Sequence, residues 1–307
     1  MSRVLLTGAS GFVGRYALDA LLDAGHEVHA VAREPGSSRD GVTWHAVDLL
    51  DRGAERLMAD VEPELLVHLA WNAEHGKFWS SPENLLWVEA SLALLRAFAA
   101  VGGRRAVFAG TCAEYDWSAE LLDEDSPLHP ATLYGAAKHG LHVVAEPFCA
   151  EAGIELAWGR LFFLYGPHED PRRFVPSVVL ALLRGEPARM TAGTQRRDFL
   201  HVADAGAAFA ALAESDVLGA VNVAAGAPFA LRDLAARIAR RIDGAELQLG
   251  ALPMSASDPP AITTSARRLR EQVGWAPRIG LDEGLDEVVG WWRAQLARDS
   301  REPPAPR

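Results

Sequence analysis

The sequence predicts an α/β fold in which a doubly wound parallel sheet is followed by a smaller C-terminal α/β lobe. Short apolar runs alternate with amphipathic stretches through the first half of the chain, as in strands joined by crossover helices. A glycine-rich turn directly follows the first of these runs. The second half changes to shorter elements with frequent glycine and proline, which indicates a separate, smaller unit.

The expected strands of the sheet are short and apolar, at 3–7, 26–32, 43–47, 64–69, 105–110 and 155–162. Amphipathic periodicity predicts helices at 12–24, 52–59, 83–101, 132–151, 173–184, 230–242, 266–272 and 283–297. We expect a nucleotide-binding domain of the Rossmann type over 1–165 and a substrate-binding lobe over 166–307, with segments near 197–225 returning to the first domain. The polar, proline-rich stretch 298–307 is expected to be disordered.

The composition narrows the class of partner. The 307 residues carry a formal net charge of −11, which argues against nucleic acid or an anionic membrane as a partner. Two cysteines form no disulfide framework, the N-terminus lacks the flanks of a signal peptide, and no apolar run approaches membrane-spanning length. We therefore expect a cytoplasmic protein with a small-molecule ligand and without a metal site.

The turn between the first strand and the first helix predicts a dinucleotide site. Gly8, Gly11 and Gly14 allow the backbone to turn tightly and to approach a pyrophosphate. Phe12 and Val13 open the helix, whose free amides can bind the anion.

The end of the second strand distinguishes the two nicotinamide cofactors. An acidic residue there binds the ribose 2′-hydroxyl of NAD, whereas an arginine can bind the 2′-phosphate of NADP. Arg33 stands at this place and Glu34 comes one position late, so NADP(H) is favoured and NAD(H) is the alternative. Asp48 and Leu49, after the third strand, are expected beside the adenine.

Tyr134 and Lys138 predict proton transfer. Lys138 is one of only two lysines among the 30 basic residues, and the spacing of four places it on the helix face of Tyr134. A nearby ammonium stabilises a phenolate, so such a tyrosine can exchange a proton with a carbinol oxygen near neutral pH.

These features occur with other motifs in chain order: His68-Leu69-Ala70, Thr111, 160–167, 197–202 and 222–223. With them the chain resembles the extended short-chain dehydrogenase/reductases, in the branch that acts on nucleotide sugars, over about residues 3–293. The resemblance implies that Tyr134 donates or accepts the proton and that Thr111 hydrogen-bonds the reacting sugar oxygen. It further implies that Lys138 binds the nicotinamide ribose and lowers the pKa of the tyrosine, and that Leu69 and Ala70 lie beside the cofactor.

The residues after Thr111 favour simple hydride transfer. Relatives that eliminate water or invert neighbouring carbons carry acid/base groups there, but here the matching position is Ala113. Cys112 is one residue early and Glu114 one late, so along a strand both would face the other way. One tyrosine and one nicotinamide suffice for reduction of a 4-keto-6-deoxyhexose at C4. The same set suffices for a nucleotide-sugar 4-epimerase with tightly bound NAD, and a non-enzymatic dinucleotide sensor is a third hypothesis.

The resemblance also implies binding residues for a nucleotide-diphosphate sugar. Arg197 would contact the diphosphate and Asp258 the nucleotide ribose. Thr191 and Phe174 would line the base pocket, and Phe163 replaces the asparagine that contacts the substrate phosphate in the family.

The loop after the fourth strand supports two interpretations. It carries Trp71, His75 and Lys77, and loops at the carboxyl ends of parallel strands line the ligand crevice. The loop is either a lid that contacts the sugar or a surface loop packed on the edge of the sheet. The helices at 83–101 and 132–151 have broad apolar faces, and in the family this pair builds the interface of a homodimer. Burial within one subunit is the alternative.

Overall fold

The computed structural model describes residues 1–51, 53–119, 121–255 and 258–300. The strands in chain order are β1 (Arg3–Thr7), β2 (Glu27–Ala32), β3 (Val42–Ala46), β4 (Leu65–His68), β5 (Arg105–Thr111), β6 (Glu155–Leu161), β7 (Phe163–Tyr165), β8 (Ala188–Arg189), β9 (Arg196–His201), β10 (Gly219–Val223), β11 (Pro228–Ala230), β12 (Leu247–Gln248) and β13 (Ala261–Ile262). The helices are α1 (Gly14–Asp23), α2 (Ala54–Val61), α3 (Glu83–Ala100), α4 (Leu133–Ala152), α5 (Phe174–Leu183), α6 (Val202–Glu214), α7 (Leu231–Ala239), α8 (Arg267–Glu271) and α9 (Leu281–Asp299).

The central sheet confirms the predicted fold class. Its seven strands are parallel and lie in the order β10-β6-β5-β4-β1-β2-β3. The chain runs outward from β1 through β2 and β3, then returns to the other side of β1 at β4. This reversal opens a crevice at the carboxyl ends of β1 and β4, where ligands of open α/β sheets bind.

Helices cover both faces of this sheet. Helices α1 and α6 pack together over one face, and α2, α3 and α4 cover the other. The strands are therefore buried on both sides, which explains why they are apolar throughout. Helix α6 was not among the predicted helices, and together with β10 it brings residues 202–223 back to the first sheet.

The C-terminal lobe is built around β9, which pairs with β7, β11 and β13. Helices α5, α7 and α9 enclose a second apolar core there. Helix α9 continues through Asp299, so the prediction of disorder from residue 298 is wrong for its first residues; positions 301–307 lie outside the described residues. Among the described helices, none is long and apolar enough to cross a membrane.

Candidate active site

A cavity of about 1310 Å³ lies where β1, β2, β4 and β5 end, and the C-terminal lobe completes its wall. Most of the predicted site residues line it: Gly8, Gly11, Phe12, Val13, Gly14, Arg33, Asp48, Leu49, Leu69, Ala70, Trp71, Thr111, Tyr134, Lys138, Phe163, Arg197 and Asp258. The structure therefore brings the predicted dinucleotide, catalytic and sugar-nucleotide residues to one cavity. Its volume exceeds that of an ordinary ligand pocket. A cavity of this size can hold two ligands side by side.

The glycine turn fits a dinucleotide because its backbone is closely packed. Gly8 has φ +70°, and a Cβ there would lie 2.8 Å from the amide nitrogen of Ala70. A Cβ on Gly14 would collide with the carbonyl oxygen of Gly8. Helix α1 begins here without a side-chain cap. The amides of Arg15 and Tyr16 already donate to the carbonyls of Gly11 and Val13, and of the first-turn amides that of Gly14 is left for a pyrophosphate.

A series of buried, hydrogen-bonded side chains holds the end of β1, where the glycine turn begins, against β4. Ser91 donates to the carbonyl of Trp87 at 2.6 Å, so its oxygen is left to accept from Nε2 of His68 at 2.9 Å. Nδ1 of His68 lies 2.7 Å from the hydroxyl of Thr7, whose oxygen accepts from the amide of Ala70 at 3.3 Å. Burial lowers the pKa of His68 to about 3, so the imidazole is neutral and acts as a structural link.

Arg33 is exposed at the end of β2 and lines the cavity. Glu34 is also exposed but is not part of the cavity lining. In the described part of the chain Arg33 has no ion-pair partner, while its neighbour Arg39 is paired with Asp19. Arg33 is thus available to a ligand.

Tyr134 lies in the first turn of α4, where Thr132 caps the helix by accepting from the amide of Gly135 at 3.1 Å. Burial raises the pKa of Tyr134 above its ordinary value, and the nearby Thr111 side chain opposes this rise. The phenol is therefore protonated near neutral pH and lies close to the predicted substrate-positioning hydroxyl.

Lys138 lies one turn after Tyr134 on α4 and is buried. Its ammonium donates to the carbonyl of Ala109 at 2.8 Å and lies 3.7 Å from the centre of the Trp71 ring. Burial lowers the pKa of Lys138 to about 7. The ammonium is thus directed to the end of β5 and to Trp71, and its predicted contact with a nicotinamide ribose and its effect on Tyr134 stay predictions.

Three aromatic residues of the loop after β4 lie at the cavity. Trp71, Phe78 and Trp79 line the cavity, and the carbonyl of Trp79 accepts from the amide of Tyr134 at 3.1 Å. The rings of Phe78, Trp79 and Trp71 lie 4.9, 5.9 and 6.3 Å from that of Tyr134. Aromatic rings thus surround the phenol, and of these the sequence assigned only Trp71 to the site.

Four predicted binding residues lie outside the lining of the cavity. Lys77 is exposed and forms an ion pair with Glu74 at 2.8 Å, and His75 stands beside it in the same loop. Thr191 donates to Gln195 at 3.4 Å, and the ring of Phe174 packs 6.4 Å from that of Phe199. Their predicted contacts with the ligand therefore find no support in the geometry.

Contrary to the expectation from the sequence, the two groups near Thr111 do not continue the strand: β5 ends at Thr111 and Cys112–Glu114 form a 3-10 turn, in which Cys112 lines the cavity and Glu114 is buried. Glu114 is fully buried, accepts from the amide of Thr111 at 2.8 Å and pairs with Arg160 at 2.9 Å. Burial raises the pKa of Cys112 to about 12, which makes it an inert thiol. Neither side chain is placed to act as a second acid or base.

Arg197 is buried and bound to protein groups. Its Nη2 lies 2.5 Å from Oδ1 of Asp258 and also donates to the carbonyl of Pro259, while Nη1 donates to the carbonyl of Arg196. Asp198 takes no part, because its carboxylate accepts from the amide of Ala225 at 2.9 Å. The charge of Arg197 is thus neutralised by Asp258.

Arg173 is a site residue that the sequence analysis missed. It lines the cavity, and within the described ranges its side chain forms no ion pair. The nearby Glu169 is buried, which raises the pKa of that carboxyl to about 8 against the opposing charge of Arg173. The pair Arg172-Arg173 directly before α5 was the available signal, but only the structure shows which of the two faces the cavity.

By its fold and by the motifs along this cavity, the protein is an extended short-chain dehydrogenase/reductase of the nucleotide-sugar branch. The model of the NAD dependent epimerase/dehydratase family matches residues 4–224, and the chain belongs to this family.

Individual relatives are distant but extend over nearly the whole chain. UDP-glucuronic acid decarboxylase 1 of Xenopus tropicalis is 26% identical over 308 residues, which cover 96% of this chain and 73% of the relative. The UDP-glucose 4-epimerase of Thermus thermophilus, solved in complex with NAD, superposes with a TM-score of 0.81 at 27% identity over 95% of this chain and 99% of that one. MoeE5, solved with UDP-glucuronic acid and NAD, superposes with a TM-score of 0.85 at 28% identity, over 96% of this chain and 100% of that one.

Proposed function

We propose that the protein is an NADPH-dependent reductase of a nucleotide-linked 4-keto-6-deoxyhexose. The observation that carries the proposal is that Tyr134, a protonated phenol beside Thr111, lines the cavity within a cluster of aromatic rings and can donate a proton to a substrate ketone. Of the other candidates, Glu114 is held in an ion pair with Arg160, and Cys112 lines the cavity as a thiol whose pKa burial raises to about 12.

The chemistry is a two-electron reduction at one carbon. The bound dihydronicotinamide would supply a hydride to C4. Thr111 holds the C4 oxygen, and Tyr134 donates its phenolic proton to that oxygen as charge develops on it. A phenol that is protonated in the resting protein suits a reductase, since the first proton transfer is donation.

The aromatic side chains favour a deoxysugar. Phe78, Trp79 and Trp71 offer apolar faces near Tyr134, which suit a C6 methyl group better than a hydroxymethyl group.

Arg33 supports NADP(H), because it lines the cavity as a free cation at the place where the 2′-phosphate would lie. The family description and the solved neighbours name NAD instead, so NAD(H) is the competing cofactor.

Arg173 and Arg197 would hold the diphosphate of the substrate. Arg173 supplies the uncompensated charge, whereas Arg197, paired with Asp258, supplies fixed hydrogen-bond donors.

We also propose that the protein is a homodimer. Leu85 and Leu86 on α3, and Val143 and Val144 on α4, are each more than half exposed. The two helices pack side by side, so these residues are available to a second copy.

A nucleotide-sugar 4-epimerase is the second candidate, because the solved Thermus thermophilus neighbour is one and holds NAD. The deciding experiment offers NADPH or NADH with 4-keto-6-deoxyglucose linked to dTDP, CDP, GDP or UDP, and follows the cofactor by its absorbance. Consumption of NADPH that is lost in Tyr134→Phe supports the reductase. Interconversion of two sugar nucleotides without added cofactor, and no consumption with any ketosugar, would establish the epimerase.

A further inference from the structure

Lys138 is held inside the protein without a carboxylate partner. It is 3% exposed, and among the ion pairs of the described residues none includes its ammonium. A buried lysine in this position tends to lose its proton, since the charged form is poorly solvated.

The partners of Lys138 are a carbonyl and an aromatic face. Ala109 accepts one hydrogen bond at 2.8 Å, and the ring centre of Trp71 lies 3.7 Å from Nζ. A cation at this distance from an indole is attracted by the electron density of the ring, and the attraction is strongest where water is excluded.

Trp71 is itself fixed in place. Its Nε1 donates to Asn84 at 2.9 Å, and the amide of Asn84 donates to the carbonyl of Phe78 at 2.7 Å. The opposite neighbour is Trp87, whose ring lies 6.1 Å away. The indole therefore presents a rigid face to the ammonium.

We propose that Trp71 is a positioning residue whose indole face keeps the Lys138 ammonium charged and fixed at the end of β5, in the wall of the cavity. The link to hydride transfer rests on the proposed function, whereas the contact itself can be tested without any sugar substrate. Two other titratable groups interact electrostatically with Lys138: His68 is neutral, and the charge of Glu114 favours the ammonium from a distance. Tyr134, one turn earlier on α4, is a protonated phenol.

The scarcity of lysine makes the test direct. Lysine-selective isotope labelling gives two side-chain signals, and Lys77→Arg assigns the one from Lys138. The titration midpoint of Lys138 is then measured in the full chain and in Trp71→Phe and Trp71→Leu. Phe78→Leu is the matched control, because it removes a different ring from beside Tyr134.

We expect a midpoint near 7 in the unaltered protein, a similar value in Trp71→Phe and in Phe78→Leu, and a value lower by about one pH unit in Trp71→Leu. Dinucleotide binding by Trp71→Leu should then be about fivefold weaker at pH 7 and should recover as the pH is lowered, which a merely structural defect would not do. If Trp71→Leu does not fold, Trp71→Met removes the ring at similar volume. An unchanged Lys138 midpoint in the folded aliphatic variant overturns the proposal.

Discussion

Glu114 and Arg160 form an ion pair that is closed off from solvent beside the cavity, with 2.9 Å between Oε2 and Nε. The other carboxylate oxygen accepts from the amide of Thr111 at 2.8 Å and from the indole of Trp158 at 2.9 Å. Glu114 thereby fixes the residue that is proposed to hold the substrate oxygen. The pair explains why a carboxylate next to Thr111 supplies structure and no second proton-transfer group.

Removing one partner of this pair should destabilise the fold strongly. Glu114→Gln leaves the Arg160 guanidinium buried without a counter-charge, which costs about 3–5 kcal/mol. Urea unfolding measures the loss. The double variant Glu114→Gln with Arg160→Met should recover much of it, and a single variant as stable as the unaltered chain would contradict this account.

The two buried histidines, His68 and His142, should each lower the free energy of unfolding as the pH drops from about 6.5 towards 3. The raised pKa values of Glu169 (about 8) and Asp198 (about 6) act in the opposite direction. Burial lowers the pKa of His68 and of His142 to about 3, so both stay neutral in the folded protein while the unfolded chain takes up a proton at each. Each histidine then contributes a slope of about 1.4 kcal/mol per pH unit within this window. Unfolding at several pH values should show a smaller slope in a folded His142→Gln variant. Identical slopes would show that His142 is not held neutral.

Arg33→Glu should reverse the cofactor preference. The variant loses charged hydrogen bonds to the 2′-phosphate, which are worth about 1.5–3 kcal/mol. NADPH should therefore bind about ten- to hundredfold more weakly. Calorimetric titration with NADPH and NADH provides the comparison. Arg39→Ala is the matched control, because Arg39 is already paired with Asp19. Equal NADPH affinity in Arg33→Glu and the unaltered protein would leave NAD(H) as the cofactor.

Arg173→Ala should raise the KM for the sugar nucleotide by about ten- to hundredfold, since a charged contact with the diphosphate is lost. Arg172→Ala is the control, because Arg172 is exposed and pairs with Asp170 at 2.7 Å. Steady-state kinetics of the two variants separates the roles. Equal effects would mean that general charge, and no specific contact, attracts the substrate.

The sequence predicted the sheet and most helices because each depends on local periodicity. The six expected strands of the central sheet were found close to their predicted limits, whereas the alanine-rich helix α6 was missed. Residue types also indicated the glycine turn, Tyr134 and Lys138.

Side-chain partners that are distant in the chain could not be predicted. Arg197 pairs with Asp258, which lies 61 positions further along the chain. Lys138 on α4 contacts the ring of Trp71, which belongs to the loop after β4. Which of two neighbouring arginines faces inward, as with Arg173, depends on how α5 begins. Tertiary packing decides which side chain faces the cavity, and the periodicity of the sequence does not report it.

The most direct test of the central claim follows the hydride itself. NADPH that carries deuterium on the transferred position is incubated with the preferred nucleotide-linked 4-keto-6-deoxyhexose, and the sugar product is analysed by mass spectrometry and NMR. The account predicts one deuterium at C4 for each NADPH oxidised, and none with Tyr134→Phe. Turnover of the sugar nucleotide with no deuterium at C4 and no net oxidation of NADPH would contradict it.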